Sequence, residues 1–245
     1  MRSGVLLAAM LLSWAACSIT MGDDLLEERT ESFSLEQGGN LSIRNVNGNV
    51  NIEPWDGSVV EVVLTIRGNA GMGIPEGFET KAVATPSSLS YEVEYPEGPN
   101  TVSVSFIVRV PRELSLNVVV ELENGSITMV GPHFVNLGTS NGSITVEGAA
   151  GGDGAETTNG NITASFTGFS SGMTLETVNG SIRASLPADA AFSAETVNGN
   201  VTVEGFNTTA SSSTGVTVQG EPAAEIGTVN GNITVDVIQA SVSGR

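Results

Sequence analysis

Seven Asn-Gly pairs, at Asn47, Asn124, Asn141, Asn159, Asn179, Asn198 and Asn230, constrain this chain more than any other feature. From Asn124 onward the steps between them are 17, 18, 20, 19 and 32 residues. Return of one motif at a nearly constant period means that one small unit is built repeatedly and that neighbouring units bury one another. The flanks repeat as well: SNGSITVEG at Ser140, TNGNITASF at Thr158, VNGSIRASL at Val178, VNGNVTVEG at Val197 and VNGNITVDV at Val229.

Alternation within the unit assigns its faces. The third residue after each Asn is Val50, Ile127, Ile144, Ile162, Ile182, Val201 or Ile233, and the fifth is Ile52, Met129, Val146, Ala164, Ala184, Val203 or Val235. Strand side chains alternate with period two, so these apolar columns share one face. The residues between them, such as Thr128, Thr145, Thr163 and Arg183, face water. A third apolar column lies four residues before each Asn, from Ile43 to Ile226. The unit therefore reads strand, turn, strand.

Two folds use such a unit. In an antiparallel meander each Asn-Gly is a hairpin turn; in a solenoid each unit is one coil and like stacks on like. The constant step favours the solenoid. It also allows the side-chain amides of Asn124, Asn141, Asn159, Asn179, Asn198 and Asn230 to bond in a ladder along the axis. The expected fold is all-β, a single-stranded parallel β-solenoid (β-helix-like) with antiparallel hairpin extensions in the N-terminal half. Parallel pairing of successive units supports it, and antiparallel pairing across each Asn-Gly refutes it.

The front half is less regular. Residues 59–67, 89–95, 101–110 and 114–122 alternate like strands. Glu97-Gly98-Pro99-Asn100 reads as a hairpin turn, residues 68–77 as a Gly-rich loop, and residues 207–214 as a Ser/Thr-rich loop.

The N-terminus reads as an address. Met1-Arg2 precedes an apolar run from Val5 to Leu12 that is too short to span a bilayer. Ser13-Trp14-Ala15-Ala16-Cys17 follows and resembles a lipobox, although Trp14 stands where Leu is usual. That resemblance implies cleavage before Cys17, a lipid on its sulfur and a membrane partner reached through that anchor. The alternative is an ordinary secretory leader with an incidental cysteine. Ser18 after the cysteine resembles outer-membrane sorting. The domain reading is residues 1–16 signal peptide, 17–32 acidic tether, and 33–240 solenoid, irregular over 33–120 and coiled over 121–240.

The formal charge of −18 argues against a nucleic-acid partner, because binding phosphates needs a cationic surface. Lyase chemistry on this scaffold needs a base and stabilising cations. Between Glu113 and Gly244 the basic side chains are Arg183 and His133 alone, and His133, in a Gly-Pro-His turn, reads as a surface residue. The three Asp of that stretch, Asp153, Asp189 and Asp236, lie on different units. No nucleophile elbow, phosphate loop or Cys/His cluster occurs. The chain reads as not an enzyme.

Glu156, Glu176 and Glu195, three residues before their Asn, stand on consecutive units. Stacked in register they would lie roughly 5 Å apart and could share Ca²⁺; a solvated acidic stripe is the plainer account. Otherwise no cofactor is expected. Trp55, in Pro54-Trp55-Asp56-Gly57, could stack on a glycan or plug the end of a coil. The sequons at Asn141, Asn161 and Asn232 follow from the repeat and read as turn chemistry.

LSIRNVNGNVNIEPWDGSVVEV at Leu41, VRVPRELSLNVVVELENGSITMVG at Val108 and the iterated units after them resemble the bacterial family of unknown function named "putative adhesin", over about Phe33 to Val237. The resemblance implies a β-solenoid-like fold in the cell envelope and transfers no catalytic motif. The expected function is that of a lipid-anchored envelope protein, an adhesin or scaffold binding an unidentified protein or glycan. The alternatives are a carbohydrate-active enzyme on the same scaffold and a periplasmic partner of an envelope signalling system.

Overall fold

The computed structural model describes residues 25–68, 73–97, 102–168, 172–206, 210–212, 215–218 and 223–238. Each Asn-Gly joins two strands, as Asn117–Asn124 and Ile127–Val130 do across Asn124-Gly125. The strands before the turns collect into a 10-stranded sheet and those after them into an 11-stranded sheet. Equivalent strands of stacked coils pair in parallel, with Asn124 opposite Asn141 and Ile127 opposite Ile144. The parallel-pairing criterion for a solenoid is met, with two strands per coil. No helix among the described residues is long and apolar enough to cross a membrane.

The core lies between the sheets. Both columns after each Asn are buried over all seven coils, from Val50 and Ile52 to Ile233 and Val235, as is the column from Ile43 to Ile226. Each Val or Ile so buried contributes about 1.5–3 kcal/mol. A fourth buried column lies two residues before each Asn: Asn45 and Leu122 on the first two coils, then the threonines Thr139, Thr157, Thr177, Thr228 and Thr196. Their hydroxyls donate to the carbonyls of Gly125, Gly142, Gly160, Gly180 and Gly231 at 2.9–3.0 Å. A buried hydroxyl keeps a partner this way, and each coil corner is tied to the next.

The corners stack at backbone contact. A Cβ on Gly142 would stand 2.0 Å from the Gly125 carbonyl oxygen, and one on Gly160 1.9 Å from that of Gly142. Glycine recurs after Asn because any side chain would push neighbouring coils apart.

The coils do not stack in chain order. In both sheets the order is Asn47, Asn124, Asn141, Asn159, Asn179, Asn230, Asn198. The C-terminal strands Ala223–Asn230 and Ile233–Val237 slot between the Asn179 and Asn198 coils. The stretch before them caps the stack: Ala210–Ser212 pairs antiparallel with the Asn198 coil in one sheet and Gly215–Val218 in the other. Part of the segment expected as a Ser/Thr-rich loop is thus a capping strand.

Antiparallel strands extend the opposite end. Glu79–Thr85 and Ser88–Glu94 form a hairpin, and Ser88–Glu94 joins the first coil in parallel. Val60–Arg67 pairs antiparallel with Ser103–Pro111. Two expectations need correction. Ser88–Glu94 and Ser103–Pro111 lie in different sheets, so residues 97–100, of which 98–100 fall outside the described residues, connect no hairpin. The tether expected to reach residue 32 gives way to a strand at Leu25–Phe33, paired antiparallel with Val60–Arg67. There Tyr91, buried, donates to Glu31 Oε2 at 2.8 Å, and burial together with Glu31 holds its ionisation well above the ordinary tyrosine range. Both sheets run unbroken past residue 120, and the irregular and coiled parts share one core.

Candidate functional site

Two outward rows flank the buried threonines. Three residues before each Asn, in stacking order, stand Arg44, Glu121, Gly138, Glu156, Glu176, Gly227 and Glu195. One residue before each Asn, the last three coils present Val178, Val229 and Val197, the last 69% exposed. Side chains of both rows border a shallow depression of about 670 Å³ on the 10-stranded sheet. Gly138 and Gly227 contribute no side chain and notch the acidic row. Arg44 at its end pairs with Glu121 at 2.9 Å.

Of the three carboxylates expected to adjoin, Glu156 and Glu176 are register partners. Glu195 is separated from Glu176 by Gly227 of the inserted C-terminal coil. Chain-order stacking would put all three side by side, and like charges directly opposite on a sheet repel. The insertion relieves this. Two carboxylates offer at most four of the six to eight oxygens that Ca²⁺ takes. Among the described residues no group of three His, Cys, Asp or Glu converges as a metal site.

The asparagine ladder forms over all seven coils. Each side-chain amide donates to the Asn Oδ1 of the preceding coil in the stack: Asn124 to Asn47, Asn141 to Asn124, Asn159 to Asn141 and Asn179 to Asn159, at 2.9–3.1 Å. It then runs Asn230 to Asn179 and Asn198 to Asn230, both 2.9 Å. A second ladder lies two residues after the Asn, where Asn161 Oδ1 accepts from the Ser181 amide at 2.8 Å and Asn232 Oδ1 from that of Asn200 at 3.0 Å. These sequon asparagines serve the turns, as expected.

Trp55 is half-buried. Its Nε1 donates to the Val59 carbonyl at 3.0 Å, and its ring covers Gly57, where an added Cβ would meet it at 2.2 Å. The indole therefore clamps its own turn. His133 departs from expectation: it is buried, its Nδ1 accepts from the Leu116 amide at 3.3 Å, and burial lowers its pKa to about 4. Cys17 lies outside the described residues.

One further carboxylate pair emerges that chain order conceals. Asp236 and Glu204 are register partners at a second depression, of about 780 Å³, on the 11-stranded sheet. Ser185 Oγ bonds Asp236 at 2.5 Å, and Arg183 lies 3.9 Å from it. Among the described residues both carboxylate pairs, Glu156 with Glu176 and Glu204 with Asp236, border open depressions on the sheet faces.

Two facing, mostly parallel sheets of stacked coils, cornered by Asn-Gly and closed by antiparallel strands, define a toastrack-like β-solenoid. The chain belongs to the Toastrack DUF4097 family, whose sequence model matches residues 102–236. Solved structures similar to it include a Clostridium sporogenes protein described as a "putative cell adhesion protein" (11% identity, 86% of this chain and 98% of that one, TM-score 0.43). Proteins described as "putative adhesin" from Bacteroides fragilis (11%, 86% and 97%, 0.32) and Parabacteroides distasonis (8%, 86% and 97%, 0.33) are also similar. No curated protein matches.

Proposed function

We propose that this protein is a non-enzymatic cell-envelope scaffold, held at the membrane through a lipid on Cys17, that presents its sheet faces to a protein or glycan. The observation that carries this reading is the regularity of those faces. The same asparagine corner recurs from coil to coil, its polar groups are spent on ladders, and the described acidic and basic side chains do not converge in an enclosed pocket. A long repetitive surface suits recognition of an extended partner better than chemistry at one bond. The shallow depression bordered by Glu156, Glu176 and Val178 is the proposed contact region.

The test is protease shaving and antibody labelling of intact cells against permeabilised ones, with palmitate labelling of the wild type and Cys17→Ala. Labelling of intact cells together with Cys17-dependent palmitate supports a surface adhesin. Signal only after permeabilisation replaces adhesion with a periplasmic scaffold, and palmitate incorporation independent of Cys17 removes the anchor.

A further inference from the structure

Asn-Gly is the dipeptide most prone to deamidation, because the unhindered glycine nitrogen can attack the preceding side-chain carbonyl; asparagine is a thermolabile residue for this reason. The reaction needs that nitrogen free and the chain able to bend. Six of the seven Asn-Gly pairs withhold it. The amides of Gly48, Gly125, Gly142, Gly160, Gly180 and Gly231 each donate to the carbonyl of the next Asn in the stack, respectively Asn124, Asn141, Asn159, Asn179, Asn230 and Asn198, at 2.9–3.2 Å. Gly199 belongs to the last coil of the stack and has no next Asn. Its amide has no acceptor among the described residues.

Asn198 is also the terminal rung of the side-chain ladder. Its Nδ2 donates to Asn230 Oδ1, but no further amide donates to its own Oδ1 among the described residues, whereas every other rung has such a donor. Asn198 is exposed to water and Gly199 half-exposed. The opposite terminal pair is not equivalent, since Gly48 is bonded and the Asn47 backbone N–H donates to the Tyr95 hydroxyl at 3.4 Å.

We propose that Asn198-Gly199 is the deamidation site of this protein, and that the other six pairs are protected by the stack. The Gly199 nitrogen attacks Asn198 Cγ, the bond from Cγ to the side-chain nitrogen breaks, and that nitrogen leaves as ammonia with the proton lost from Gly199. Water then adds to either carbonyl of the succinimide and opens it to aspartate or isoaspartate. No oxidant or other co-reactant is required. The product replaces the donor to Asn230 Oδ1 with a carboxylate, so the modification loosens the last coil selectively. It also adds negative charge three residues along the same strand from Glu195.

The experiment is peptide mapping by mass spectrometry of the folded mature protein during incubation at mildly alkaline pH, beside the same protein in urea. In urea the Asn-Gly pairs should convert at similar rates. In the folded protein Asn198 should convert roughly tenfold faster or more than any other pair, because exposing a bonded glycine nitrogen first requires opening the stack. Conversion led by Asn230, the last pair in the chain, or spread evenly over the seven, overturns the proposal. So does a folded-state rate at Asn198 no higher than that of the protected six.

Discussion

The Asn230 side-chain amide donates to Asn179 Oδ1 at 2.9 Å, across 51 positions of chain, while Asn198, much nearer to Asn179 in sequence, lies one coil beyond. Among the Asn-Gly coils, this bond marks the one place where stacking departs from chain order. Backbone pairing, threonine bonds and both amide ladders all report the same insertion.

Engineered disulfides read that order directly. Adjacent strands lie roughly 4.8 Å apart, within disulfide reach, and next-but-one strands roughly 10 Å apart, beyond it. In a Cys17→Ser background, Asn179→Cys with Asn230→Cys and Asn198→Cys with Asn230→Cys should each close within the chain on oxidation. Asn179→Cys with Asn198→Cys should not. An intrachain bond in that last pair, seen by non-reducing peptide mapping, would mean that the coils stack in chain order.

Corner glycines should be intolerant where the stack is tight and permissive elsewhere. Gly160→Ala places a Cβ 1.9 Å from the Gly142 carbonyl oxygen and should cost at least ~2–3 kcal/mol in denaturant unfolding. At Gly138 the nearest atom to an added Cβ is 4.0 Å away, so Gly138→Ala should unfold within about 0.5 kcal/mol of wild type. Equal costs would show that corner contact is not what selects glycine.

The gap at Gly227 can be filled with charge. A Cβ there would meet Glu176 Cγ at 3.7 Å, an ordinary contact, so side chains fit. Gly227→Glu completes an unbroken row of four carboxylates with Glu156, Glu176 and Glu195 and should be about 0.5–1 kcal/mol less stable than Gly227→Gln. Molar salt should shrink that difference. A salt-independent difference, or none, would count against charge separation as a reason for the insertion.

Acid should weaken the fold partly through His133. Its pKa in the fold is lowered to about 4 by burial, so the fold prefers the neutral ring while the unfolded chain protonates at the ordinary value of 6.5. The stability gained by keeping it neutral is complete above pH 6.5 and is lost as pH falls towards 4, about 3 kcal/mol in all. Carboxylates titrate over part of the same range, so the measurement is the difference between wild type and His133→Asn. The wild type should lose stability more steeply between pH 6.5 and 4, and parallel curves would exclude the histidine as the cause.

Much of this was legible in the chain. The apolar columns through Ile144 and Val146, the outward Thr145 and the amide ladder follow from a period of two inside a period of about nineteen, because strand alternation is a local property. Alternation puts the residue two before each Asn on the inward face, but the bond a threonine makes there, and the burial of His133, were not legible. A threonine two residues before Asn looks like any polar strand residue until a neighbouring coil brings a glycine carbonyl to its hydroxyl, and a Gly-Pro-His turn looks exposed until Leu116 packs beside it. Glu204 and Asp236 are brought together only by the insertion.

By itself, then, the sequence determined the coil: its two strands, its buried faces, its glycine corner and the residues able to bond between rungs. It did not determine which coil lies beside which. Every unit carries the same Asn and Gly, and the five from Asn141 onward the same Thr as well, so local complementarity is nearly equal for any pairing among them. Tertiary structure broke that degeneracy through interactions outside the motif: Gly227 between Glu176 and Glu195, Ser185 and Arg183 on Asp236, and capping strands that close the exposed edges of the Asn198 coil.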